Sequence, residues 1–93
     1  MKELHNTNIA EVLKNVPDVK ITGNGDMFQL LCKASSLHEG WMKSCKAMEI
    51  KGVGCVVQVT TQQGEHVAEA LTFVPGVHIT TDENNGRKLE LQE

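Results

Sequence analysis

Aromatic side chains are scarce: there is no tyrosine, and Phe28, Trp41 and Phe73 are the whole complement. Arginine is scarcer still. Arg87 stands alone beside eight lysines spread from Lys2 to Lys88, and the net charge is −3. Nucleic acid is gripped by clustered basic residues, bidentate arginines and stacked aromatics. That chemistry is missing, so no nucleic-acid partner is expected. The acids are scattered, and −3 is too small a charge to imitate a phosphate backbone. No apolar run approaches the roughly 18–20 residues of a membrane span, and no membrane partner is expected. The three cysteines, Cys32, Cys45 and Cys55, are odd in number and form no C-x-x-C pair. His5, His38, His66 and His78 lie in separate segments. A structural zinc site wants clustered ligand pairs, so no metal is expected. Free cysteines behave as small buried hydrophobes, which points to a reduced, cytoplasmic protein with no signal peptide.

What is present is one domain's worth of chain: 93 residues (1–93) and 10.2 kDa, with 40% hydrophobic and 23% charged residues. Asn6, Thr7 and Asn8 are N-cap residues, and Ile9, Val12, Leu13 and Val16 repeat as one helical stripe. Pro17 stops it, so a helix of roughly two to three turns opens the chain. Asn24-Gly25 is a strong two-residue hairpin signal between residues 18–22 and 27–34. That turn sets Ile21 opposite Phe28 and Val19 opposite Leu30, on one face with Cys32.

Residues 35–50 support two readings. As a helix, Ser36 and Glu39 form a capping box, Leu37, Trp41, Cys45 and Met48 a stripe, and Glu39 and Lys43 an ion pair. Gly40 counts against it, at a cost of about 1 kcal/mol. As a strand from Trp41 to Ile50, after a turn at residues 37–40, the segment continues a meander, and the surrounding turn signals favour this.

Residues 55–63 and 67–74 form a hairpin around Gly64-Glu65, pairing Cys55 with Val74, Val57 with Thr72, Val59 with Ala70 and Thr61 with Ala68. That face is small and uncharged, and the helix at residues 9–16 is its natural cover. Residues 77–81 and 88–91 form a last hairpin, with Asn84-Asn85-Gly86 as its loop, Ile79 opposite Leu91 and Thr81 opposite Leu89. The expected architecture is α+β: a short N-terminal helix packed on a curled, mainly antiparallel sheet of about five to six strands, with a possible second helix at residues 37–48.

Catalytic and ligand motifs fail one by one. Gly23-Asn24-Gly25 lacks a third glycine and leads into a strand, so it is no phosphate loop. Residues 82–93 begin with Asp and end with Glu like a calcium loop, but Arg87 stands where the sharp turn needs glycine. Cys45, between Lys43 and Lys46, is the one thiol in an electropositive stretch, without a base and an orienting acid beside it. No catalytic residue and no cofactor are assigned.

The other face of the residue 55–74 hairpin carries Val56, Gln58, Thr60, Gln62, Val67, Glu69, Leu71 and Phe73. Apolar residues ringed by amides, a hydroxyl and an acid have the make-up of an interface core with a polar rim. Gln58, Thr60, Gln62, Glu69, Leu71 and Phe73, with Trp41 as a second aromatic anchor, are the candidate interface for a protein partner or for the chain itself, as a homodimer. The reading is a non-enzymatic binding or accessory protein acting through a sheet surface or edge. The alternative is a small-molecule or nucleotide site between the sheet and the Trp41 segment, with Gln58, Thr60, Gln62 and His66 as polar contacts. Across residues 40–79 the texture resembles small phage- or prophage-encoded accessory proteins, which implies stoichiometric binding of a host or partner protein.

Overall fold

The computed structural model describes residues 7–84 and 86–92. Asn6 and Asn85, assigned to a cap and a loop above, lie outside them. The described chain runs α1 (Ile9–Val12), β1 (Phe28–Ser36), β2 (Trp41–Ile50), β3 (Gly54–Gln63), β4 (His66–Pro75), β5 (Val77–Thr81) and β6 (Arg87–Leu91). β1 to β4 form one antiparallel meander in chain order, and β5 pairs with β6 in a separate two-stranded sheet.

Sheet therefore dominates, and the α part shrinks to four residues. α1 makes no extended contact with any strand, so it is not the layer packed on the sheet. It sits at the rim of β1 instead. Asn8 gives α1 no side-chain cap; its Oδ1 accepts from the N–H of Leu30 at 2.9 Å. The capping acceptor is Asp26, whose carboxylate receives the N–H groups of Ile9 and Ala10. A carboxylate there satisfies free helix N–H groups and suits the helix dipole.

That recruitment overturns the hairpin at Asn24-Gly25. Residues 19–22 form no strand, and β1 pairs only with β2. Ile21 and Val19 therefore do not face Phe28 and Leu30. The Asn24 side chain accepts from the N–H of Asp26 at 2.9 Å, an Asx turn. The positive φ belongs to Gly23 (76°), not to Gly25. The segment turns to bring Asp26 to α1.

Residues 41–50 are strand, and the second helix at 37–48 is absent. The capping pair is used in a turn: Glu39 N–H donates to Ser36 Oγ at 3.1 Å, and Gly40 N–H to the Ser36 carbonyl at 2.8 Å. Gly40, at φ 75°, then takes the chain into β2, a conformation closed to most side chains. The β3–β4 hairpin has the register read from Gly64-Glu65, with Cys55 on Val74, Val57 on Thr72, Val59 on Ala70 and Thr61 on Ala68.

The core lies on the Cys55 face. Ala47, Cys55 and Val57 pack with Val77, flanked by Leu31, Cys45, Val74, Ile79 and Leu89. Its cover is the β5–β6 hairpin, not the expected helix. Gly76 N–H donates to the Val53 carbonyl at 2.9 Å, and the chain then swings over the sheet. Ile79 N–H binds the Glu49 carboxylate at 2.7 Å, and Arg87 Nη1 reaches the Leu30 carbonyl at 3.1 Å. The hairpin pairs Val77 with Leu91, Ile79 with Leu89 and Thr81 with Arg87, two residues off the expected register. Asp82 is the cause: its Oδ1 takes the N–H groups of Asn84 and Gly86 at 2.9 and 2.8 Å, and its own N–H donates to the Gly86 carbonyl at 2.8 Å, so the loop closes one residue earlier in the chain.

Candidate functional site

The two edges of the four-stranded sheet differ. At β1 the ladder is broken by a bulge between Leu30 and Cys32. The edge groups of Leu30 are both occupied, the N–H by Asn8 and the carbonyl by Arg87. Bulges and side-chain cover are how sheets protect an edge from unwanted pairing.

β4, the other edge, has no such protection among the described residues. Val74 alone in the strand is half-buried, and its neighbours are exposed. Val67, Leu71 and Phe73 are 48, 63 and 47% exposed. The strand carries no lysine, and its one proline, Pro75, is its last residue.

The hydrogen-bond phase of β4 follows from the Gly76-to-Val53 bond, because antiparallel residues alternate between bonded and non-bonded pairs. His66, Ala68, Ala70, Thr72 and Val74 exchange their bonds with β3. Val67, Glu69, Leu71 and Phe73 aim theirs outward. Pro75 has the same outward phase, so its missing N–H costs the ladder nothing.

The same alternation sorts the candidate residues. Gln58 is paired with Leu71, Thr60 with Glu69, Gln62 with Val67 and Val56 with Phe73, so all six on the hairpin share one face. They are not equally available. Thr60 is 1% and Gln62 5% exposed, beside Met42 and Ser44 on β2, at 0 and 4%. Gln58 is half-buried, and Glu69, Leu71 and Phe73 are exposed. The accessible part is thus the β4 strip rather than the amides of β3. Trp41 stands on the opposite face, paired with Gln63. Its Nε1 donates to Glu39 at 3.1 Å, and the Lys43 ammonium lies 5.8 Å from its ring centre. Sequence spacing did not reveal that β4 is an edge, which depends on where the chain goes after Pro75.

The small-molecule alternative needs the Trp41 segment to lie over the sheet, whereas β2 lies within it, beside β3. What remains at Trp41 is an open cleft of about 420 Å³ lined by Trp41, Met42, Lys43, Thr61, Gln62 and Gln63. His66 is paired with Gln63, away from Gln58 and Thr60.

Neither Cys45 nor Cys55 is activated. Burial, with Cys32 beside it, pushes the Cys45 thiol pKa up. The flanking lysines do not offset this: Lys46 Nζ is bonded to the Thr7 carbonyl at 3.1 Å, and Lys43 sits over Trp41. Burial also raises Cys55, helped by Glu49. Among the described residues no three His, Cys, Asp or Glu side chains converge to hold a metal, and no helix is long and apolar enough to cross a membrane.

No curated protein and no solved structure matches the chain. One family model does, over residues 1–90, so the chain belongs to the Lockin family.

Proposed function

We propose that this chain is a polypeptide-binding domain that works by strand addition at β4, through occlusion or assembly rather than chemistry. The observation that carries this reading is the contrast between the edges: β1 is bulged and its Leu30 edge groups are occupied, while β4 is long, exposed and without such protection among the described residues. An added strand gains main-chain hydrogen bonds along Val67–Phe73, and alternate side chains confer selectivity. Val67, Leu71 and Phe73 supply the apolar contacts, with Glu69 among them. The resemblance to small phage- or prophage-encoded accessory proteins, which implies stoichiometric binding, points the same way.

The test is Leu71→Pro. It removes one outward N–H without touching the bonds to β3, as Pro75 already does in the native strand. Leu71→Ser, at a site 63% exposed, is the milder second variant. Both are expected to keep the wild-type circular dichroism spectrum. Both are expected to lose association with any polypeptide, the chain itself included, in light scattering and in-cell cross-linking. Folded variants that associate as the wild type does would reject the reading.

A further inference from the structure

Resting on the reading of β4 as the docking strand, we infer that its occupant is a second copy of this chain, paired β4 to β4, antiparallel, about a two-fold axis through Ala70.

The register follows from the strand itself. A ladder closes only where outward residues oppose outward residues, and these are Val67, Glu69, Leu71 and Phe73. Centring the axis on Glu69 sets two carboxylates directly opposite each other, which is unfavourable. Centring it on Leu71 opposes Val67 with Pro75, which has no N–H to return. Centring it on Ala70 opposes Glu69 with Leu71 of the second copy, and Val67 with Phe73. All four outward residues then exchange both hydrogen bonds with their opposites. The β-branched and aromatic side chains form cross-strand pairs of a favourable kind. The residue on the axis is small, which suits the close approach of a non-bonded pair.

The other edge explains why assembly stops at two. β1 is occupied at Leu30 by Asn8 and Arg87, interrupted by its bulge and carries Lys33 beyond it, three features that disfavour growth at that edge. An isologous contact through β4 uses up the unprotected edge of the four-stranded sheet and closes. The product is an eight-stranded sheet with the Val67, Leu71 and Phe73 side chains of both copies in one continuous strip.

Sedimentation equilibrium of the full chain, with paired substitutions, tests this. Wild type is expected to be a reversible dimer with a micromolar dissociation constant. Leu71→Glu sets a carboxylate against Glu69 of the second copy, whereas Leu71→Lys sets an ammonium there. The lysine variant is therefore expected to dimerise at least about tenfold more tightly than the glutamate variant. Ala70→Cys in a Cys32→Ser background is expected to form a disulfide-linked dimer with oxidised glutathione, since the paired Cα atoms of a non-bonded pair lie within disulfide reach. Ala68→Cys in the same background is not. Circular dichroism checks that each variant is folded.

A wild-type chain that stays monomeric at every concentration overturns the inference. So does a dimer in which the two charge variants behave alike and Ala70→Cys does not cross-link. Neither result touches the parent reading, which fails separately if Leu71→Pro leaves association with other polypeptides intact.

Discussion

Gly54→Ala is expected to lower stability by about 3 kcal/mol, at the upper end of the overpacking range. For a domain of this size that corresponds to a fall of about 15 °C in Tm. Gly54 opens β3 and is paired with Pro75 at the end of β4. A methyl group there would meet the Val74 carbonyl oxygen, and it would lie 2.8 Å from Pro75 Cα and 3.1 Å from Phe73 Cζ. The first two are backbone atoms, so no rotamer change relieves the contact, and the strands must separate where the chain leaves for β5. The Phe73 ring over the bare glycine fills the space that a side chain would otherwise take, a known way of rescuing a strand glycine. Thermal unfolding followed by circular dichroism measures the effect. A fall of only 2–3 °C, roughly what half a kcal/mol produces, would mean that β3 and β4 do not approach this closely.

Val77→Asp is expected to cost at least about 3 kcal/mol, because it buries a charge without a partner. Val77 is 8% exposed and packs on Ala47, Cys55 and Val57, none of which can pair with a carboxylate. The nearby carboxylate of Glu49 is already committed to Ile79 N–H and adds repulsion. A lone two-stranded hairpin is barely stable in water, so β5 and β6 should come away from the sheet as a unit. Cys55, fully buried and with its Sγ 3.7 Å from the Val77 carbonyl, reports this directly. Its alkylation should be negligible in the wild type and rapid in the variant. A Cys55 that stays protected would mean that something other than β5 covers it.

The parts of the fold that were legible in the sequence are those decided by residues close together in the chain. Gly64-Glu65 fixed the β3–β4 register residue for residue, and with it the face shared by Thr60, Glu69 and Leu71. Gly40 separated strand from helix in the ambiguous segment after Ser36. Asn24-Gly25 misled because asparagine can accept from the backbone two residues on as readily as it can head a hairpin. The deciding partner, the N-terminus of α1, is sixteen to seventeen residues away from Asp26. Asp82 misled in the same way by holding two loop amides at once. The cover over Cys55 was assigned to the helix because its stripe was visible, whereas the swing after Gly76 depends on Val53, Leu30 and Glu49. The candidate site was therefore half legible. Its composition could be read from the hairpin, but the burial of Thr60 and Gln62 and the openness of β4 are properties of the assembled sheet.

Amide hydrogen exchange tests most directly whether β4 is the binding element. In the free chain the amides of Val67, Glu69, Leu71 and Phe73 point outward and should exchange fast. Those of Ala68, Ala70, Thr72 and Val74 are bonded to β3 and should exchange slowly. Raising the concentration through the association midpoint should slow the first four and leave the second four little changed. If the first four remain fast in the associated chain while protection appears elsewhere, β4 is not where this protein binds.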